Sequence, residues 1–225
     1  MKAMTAEDKK IALKDNNRSS RKKRSGKIRD LAILGVLTAI MFIMTFTPVG
    51  YLKLPGLSIT FMTIPVIISA VMLGPKGAAV IGGMFGITSL IQAITGASAL
   101  TGALFQLNPV FTCILCIVPR VLEGFLGGLI FSCLKKADKT GFVSYCVTSL
   151  SVPLMNTLFF MSTLFLLFYQ TDAIQSIAAD KGAGNPLTLF VAMAGVNAVI
   201  EAVVCFIVGT AITKALSAAL SKKKK

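Results

Sequence analysis

Apolar residues gather into six runs, at 31–47, 59–73, 78–94, 109–134, 142–169 and 187–215, and the segments between them collect glycine, proline and polar residues. The apolar core of a bilayer is about 30 Å thick and takes about 20 residues of helix. The pattern therefore predicts an all-α, polytopic membrane protein with six transmembrane helices. Each break has a local cause. The first run ends at Pro48 and Gly50, and a connection over 49–58 follows, containing Tyr51, Lys53 and Pro55-Gly56. The second run is short and carries Pro65, and Gly74-Pro75-Lys76-Gly77 reads as a tight turn. The third run holds Gly82, Gly83 and Gly86, which let a neighbouring helix come close. An uncharged loop of small residues is expected over 95–106, and a polar loop over 171–186. The fifth run, at 1.5 Å per residue, would be about 42 Å long, so tilt or a bend at Pro153 is expected.

Charge then sets the orientation. The formal net charge is +14, with eleven of the 23 Lys and Arg in the first 29 residues and four more at Lys222–Lys225. Basic residues placed beside apolar runs, with no interleaved aromatics on one folded face, do not read as a nucleic-acid groove. They read as segments held on the cytoplasmic side and attracted to anionic lipid. With six spans, twenty basic residues fall inside and two, Lys53 and Lys181, outside, so both termini are expected in the cytoplasm. Residues 1–28 read as a disordered basic tail, 29–218 as the membrane domain and 219–225 as a second basic tail. No cleavable signal peptide is expected, because the polar leader is long and no small-residue cleavage site follows the first apolar run.

Composition adds a few constraints on chemistry. The chain is 55% hydrophobic, above the roughly 45–50% of soluble domains. Cys113 and Cys116 form a CxxC, but without a second pair or any histidine the five cysteines read as small buried hydrophobes, and no cofactor or metal is expected. Three charged residues lie inside predicted spans: Arg120, Glu123 and Glu201. Such groups are costly in a bilayer and mark either function or structure. Arg120 and Glu123 are three apart on one helix face, and Asn156 and Asn197 add polar groups at similar depth. Two readings stay open: a polar pocket where Arg120 meets an anionic solute, or an ion pair of Arg120 with Glu123 or Glu201. No nucleophile motif, HExxH, Walker A loop or Asp-rich pair for magnesium and diphosphate is present, so an enzyme is not expected and uphill transport would need outside energy. The first run carries Gly35 and Ala39 one turn apart, extended by Ala32, a flat strip where another helix could pack.

Several of these features recur in a recognisable order. The basic tail and the small residues of 32–39 lead into Gly50-Tyr51 and Leu54-Pro55-Gly56-Leu57-Ser58-Ile59-Thr60. Ile64-Pro65-Val66-Ile67, Gly74-Pro75-Lys76-Gly77, Gly82-Gly83-Met84-Phe85-Gly86-Ile87-Thr88-Ser89, Val118-Pro119-Arg120 and Asn156-Thr157 follow. Over about 30–215 the chain resembles the substrate-binding S component of an energy-coupling-factor (ECF) vitamin transporter, most like the pantothenate-type branch, with folate-type and hydroxymethylpyrimidine-type proteins close behind. The resemblance implies a subunit of the cell membrane that captures a small-molecule vitamin from outside. It would work with a membrane coupling subunit and two cytoplasmic ATPase subunits, in a lipid bilayer and without nucleic acid. In the family an Ala-x-x-x-Ala pair on the first helix docks onto the coupling subunit; Gly35 and Ala39 match it here, with glycine in place of the first alanine but the surface still flat. The family's ligand lies near the outer face, and by position this implies Tyr51, Gln92, Gln106, Asn108 and Asn156 as substrate contacts, with Arg120 as the intramembrane cation for a carboxylate. The alternatives are an ion-coupled secondary transporter using Glu123 and Glu201, although no inverted repeat supports it, an intramembrane enzyme, and a structural assembly factor.

Overall fold

The computed structural model describes the backbone of residues 6–47, 50–54, 57–138 and 141–222, and the side chains of 24–47, 50, 60–138 and 141–219. Pro48, Pro55-Gly56, Lys139, the end of the lysine run and the side chains of Tyr51 and Lys53 lie outside this set. In chain order the elements are α1 (Ala6–Phe46), β1 (Tyr51–Leu54), β2 (Leu57–Thr60), α2 (Thr63–Ile94), α3 (Ala99–Leu107), α4 (Pro109–Ala137), α5 (Phe142–Phe168), α6 (Asp172–Asp180) and α7 (Pro186–Lys222). The described chain is thus helical apart from one hairpin. It divides into two units, Met1–Val36 and Leu37–Lys225, with the boundary inside α1.

In the first unit the described backbone is helical from Ala6, within the stretch whose composition reads as a disordered tail. That stretch has no proline and is rich in Lys, Arg and Ala, which favour helix. Arg29 pairs with its neighbour Asp30 at 3.0 Å on the exposed surface, where such a pair contributes little.

The second unit is organised by glycines. On α2 a Cβ at Gly82 would overlap the Arg120 carbonyl of α4, and one at Gly86 would come within 2.8 Å of the Cys116 carbonyl. On α4 a Cβ at Gly124 would overlap the Ala78 carbonyl, and one at Gly128 would overlap Pro75. Rising numbers on one helix meet falling numbers on the other, so the second part of α2 runs antiparallel to α4, backbone against backbone. Gly127 of α4 meets Val152 of α5, and Phe131 stacks on Tyr145 at 5.6 Å, so α5 turns back along α4. Gly209 of α7 then lies against Ser149 of α5, and the Tyr145 hydroxyl is 2.9 Å from that of Ser217.

Among the described residues five helices are long and apolar enough to cross a membrane: Arg24–Phe46, Thr63–Ile94, Pro109–Ala137, Phe142–Phe168 and Pro186–Ala219. The sequence predicts six runs, and the difference lies in α2, where the second and third runs join as one element. The backbone leaves helical geometry only at Gly74, with φ 72° and ψ −165°. Glycine takes a positive φ without a steric penalty, and Pro75 suits the first turn of the helix that follows. Thr63 touches Cys205 at 3.1 Å and Ile67 touches Gly209, so the part of α2 before Gly74 runs parallel to α7. The part after Gly74 runs antiparallel to α4, and α4 is itself parallel to α7. The chain therefore reverses at Gly74. The earlier part, at about 16 Å, is shorter than a bilayer core.

Three connections carry more structure than their composition suggests. The 49–58 connection holds β1, and β2 takes over the start of the second apolar run, with Tyr51 paired to Thr60 and Leu54 to Leu57. Two short stretches rich in apolar and β-branched residues, two residues apart, suit a hairpin. The 95–106 segment contains most of α3 and the 171–186 segment contains α6, because each has an apolar face to bury. Leu104 of α3 and the i, i+4 pair Ile174 and Ala178 of α6 pack with Leu115, Leu164, Phe168 and Leu189 in one core at the far end of the molecule from Gly74. The helix α5 passes through Pro153 as a single element.

Candidate functional site

Pro119 shapes the centre of α4. Proline has no N–H, so the carbonyl four residues back loses its helical donor. That carbonyl belongs to Leu115, and Arg120 turns back so that its Nη1 donates to it at 2.8 Å. The guanidinium lies over the Phe160 ring, 4.3 Å from its centroid, with Phe85 at 5.4 Å. Aromatic faces at this range attract a cation. Arg120 is thereby held in one place by its own helix, by α2 and by α5.

Glu123 follows one turn later on the same face and is wholly buried. Neither of its carboxylate oxygens has a hydrogen-bond partner among the described residues. Glu201 of α7 is 7% exposed; the Thr60 backbone amide of β2 faces it, while its Oε1 has no partner.

Between α2, α4, α5 and α7 lies a cavity of about 490 Å³, within the roughly 300–1,000 Å³ of ligand sites. Its polar walls come from Thr60, Gln92, Arg120, Asn156, Asn197 and Glu201. Phe160 and Met161 give it an apolar side, and Ala97 and Ser98 before α3 line it together with Ala99, Leu100 and Thr101 at the start of α3. Asn156 Oδ1 and Asn197 Oδ1 are buried without partners among the described residues, like Glu201 Oε1 and Thr101 Oγ1. Unsatisfied buried acceptors are costly. Several on one cavity make a surface that calls for a ligand rich in hydrogen-bond donors.

Three of the six residues expected at a substrate site, Gln92, Arg120 and Asn156, meet at this cavity. Gln92 also donates from Nε2 to the Thr45 carbonyl of α1 at 3.3 Å, which fixes its reach. Gln106 is exposed on α3, away from the lining residues. Asn108 caps α4, its side chain accepting from the Phe111 amide at 3.1 Å, and it too is outside the lining. Tyr51 is placed only by its backbone, opposite Thr60. On α1, Ala32, Gly35 and Ala39 are all exposed, and a Cβ on Gly35 would meet nothing within 4 Å. Asn197 and Glu201 belong to the cavity although neither was among the expected contacts. Their i, i+4 spacing, continued back to Ala194, is the sequence signal that places them on one face of α7. Thr60 gives no such signal, since it reads as part of a span.

The sequence matches the family described as "ECF transporter, substrate-specific component" over residues 29–213. It is also similar to the protein "Pantothenate transporter PanT" of Leuconostoc mesenteroides subsp. mesenteroides, 31% identical over 113 residues, which are 48% of this chain and 53% of that protein. The matched stretch thus spans about half the length of that relative. Family and relative are both transporters, and with five long apolar helices the chain is a multi-pass protein of the cell membrane. The match covers most of the chain, from the exposed small-residue face of α1 to the last turns of α7: this protein belongs to the family of substrate-specific components of ECF transporters.

Proposed function

We propose that this chain captures pantothenate from outside the cell and delivers it to an importer powered by other subunits. The observation that carries the reading is the cavity's pairing of one guanidinium with three buried acceptors that lack partners, Asn156 Oδ1, Asn197 Oδ1 and Glu201 Oε1. Pantothenate is complementary to such a surface. Its carboxylate meets Arg120, its hydroxyls and amide N–H donate to the acceptors, and its dimethyl carbon packs on Phe160 and Met161. Gln92 adds a further polar contact, and Tyr51, paired through its backbone with Thr60, is a further contact in this reading. The similarity to a pantothenate transporter supports the same ligand.

The importer in this reading joins the chain to a membrane coupling subunit and two cytoplasmic ATPases, with the strip of Ala32, Gly35 and Ala39 as the docking face. The reversal of the chain at Gly74 gives an even number of passes in this reading, which puts both termini in the cytoplasm. Lys76 is exposed beside the Gly74 reversal, and Gly128 of α4 lies against Pro75. Lys76, Lys135 and Lys136 therefore share one end of the molecule, which supports that end as the cytoplasmic one. The cavity-lining residues at 97–101 then face outside.

The test is calorimetric titration of the purified protein with pantothenate, folate and hydroxymethylpyrimidine. Tight binding of pantothenate at one per chain supports the reading. Preference for another vitamin reassigns the ligand, and no vitamin binding in a folded sample overturns the capture role.

A further inference from the structure

Glu123 has no part in the ligand contacts just described, yet its carboxylate is wholly buried one turn from Arg120, with both oxygens lacking partners. Glu201, which lines the cavity, is the second carboxylate of the same region, and it and Arg120 are the charged groups that act on Glu123. Among the described residues the other titratable groups nearby are Cys205 on α7, which faces both carboxylates, and Cys116 on α4, which faces Arg120. The described part of α2 brings one charged residue, Lys76, exposed at the Gly74 reversal, and α5 contains none.

The charge count is then simple. With both carboxylates ionised, Arg120 offsets one and the site is already negative by one charge. A carboxylate ligand would raise the excess to two in a buried region between helices, where like charges repel more strongly than they do in water. The repulsion is relieved if one member of the pair holds a proton. A neutral Glu201 also gains an O–H, and with it a donor that it can direct at the ligand's carboxylate.

We infer that an anionic ligand occupies this cavity together with one proton, carried on the Glu123–Glu201 carboxylate pair and taken from solvent. The inference rests on the capture reading above and adds a coupling to it. Ligand and proton each favour the other by the same factor, because binding free energies are reciprocal. The affinity for the anion therefore falls as pH rises through the range in which the pair loses its proton, by up to about tenfold per pH unit.

The test measures binding of pantothenate and of panthenol, its uncharged alcohol analogue, to the full-length protein from about pH 6 to about pH 9, where the ligand carboxylate, with a pKa of about 4, stays ionised. The expected result is a dissociation constant that rises with pH for pantothenate and stays level for panthenol. In Glu201→Gln, which keeps a neutral amide at that position, the pantothenate profile flattens; Glu123→Gln serves as a second flattening variant if the first binds poorly. A level pantothenate profile in the unaltered protein, or parallel profiles for the two ligands, overturns the proton coupling and leaves the capture role standing. Absence of binding by both ligands overturns the two readings together.

Discussion

Arg120 shows how a single residue can serve two purposes. Pro119 strips the Leu115 carbonyl of its helical donor, and Arg120 replaces that donor while also lining the cavity. Arg120→Ala should therefore lower pantothenate affinity, by about 2–5 kcal/mol if the ligand carboxylate is buried against it. It should also lower thermal stability, since an orphaned buried carbonyl costs about 1–3 kcal/mol; binding and melting experiments separate the two effects. Arg120→Lys should recover part of the affinity but not all, because an ammonium keeps the charge and loses the planar fork. Asn197→Ala should weaken binding by about 1 kcal/mol, roughly fivefold, while melting changes little, since Asn197 Oδ1 has no partner among the described residues to lose. At this scale the sequence was partly legible. A charge inside an apolar run is visible at once, which is how Arg120, Glu123 and Glu201 stand out. Asn108 looks equally polar, but it is followed by Pro109 at the first position of a helix and is consumed in capping. A polar side chain's partner is local in one case and distant in another, and the residue type does not say which.

Among the elements, the pair formed by α2 and α4 is the most constrained. Gly82, Gly86, Gly124 and Gly128 bring the two backbones together along their length, a close approach that membrane helices use in place of a hydrophobic driving force. Gly82→Leu or Gly124→Leu must push the helices apart and should destabilise the protein by about 1–3 kcal/mol or more, seen as a lower melting temperature. Because the Arg120 carbonyl is the atom that a Gly82 side chain would strike, ligand affinity should fall as well. Gly83→Ala is the control: its Cβ would meet Val121 Cγ2 at 3.5 Å, an ordinary contact, so stability and binding should hold. The glycines of the third run announce this seam in the sequence, although not which helix fills it. The hairpin and the helices α3 and α6 were not legible, because their segments are short and their apolar faces matter only once a core exists to receive them. Ile174 and Ala178 are two residues in a polar stretch until Phe168 and Leu189 are brought beside them.

For the whole molecule, the proposed function makes capture of the ligand and its delivery separable. If the face carrying Gly35 and Ala39 docks the coupling subunit, Gly35→Trp should leave pantothenate binding in detergent unchanged and reduce uptake by cells that hold the complete transporter at least tenfold. Loss of binding as well as uptake would mean that the substitution had damaged the captured state itself. The exposed setting of Gly35, with nothing within 4 Å of an added Cβ, is what makes the two outcomes distinguishable.

The sequence by itself determined that the chain is a helical membrane protein, where α4, α5 and α7 begin, and which charged groups are buried. Those properties follow from local composition and period: moving about 20 apolar side chains out of water outweighs the cost of burying their hydrogen-bonded backbone, and proline, glycine and lysine mark the ends. Only the tertiary structure decided that the second and third apolar runs are one element reversed at Gly74, and that Gln92, Arg120, Asn156, Asn197 and Glu201 share a cavity. These residues come from four helices, and their meeting depends on how far apart α2, α4, α5 and α7 settle. That spacing is fixed by glycine contacts between segments far apart in the chain, which no local pattern records.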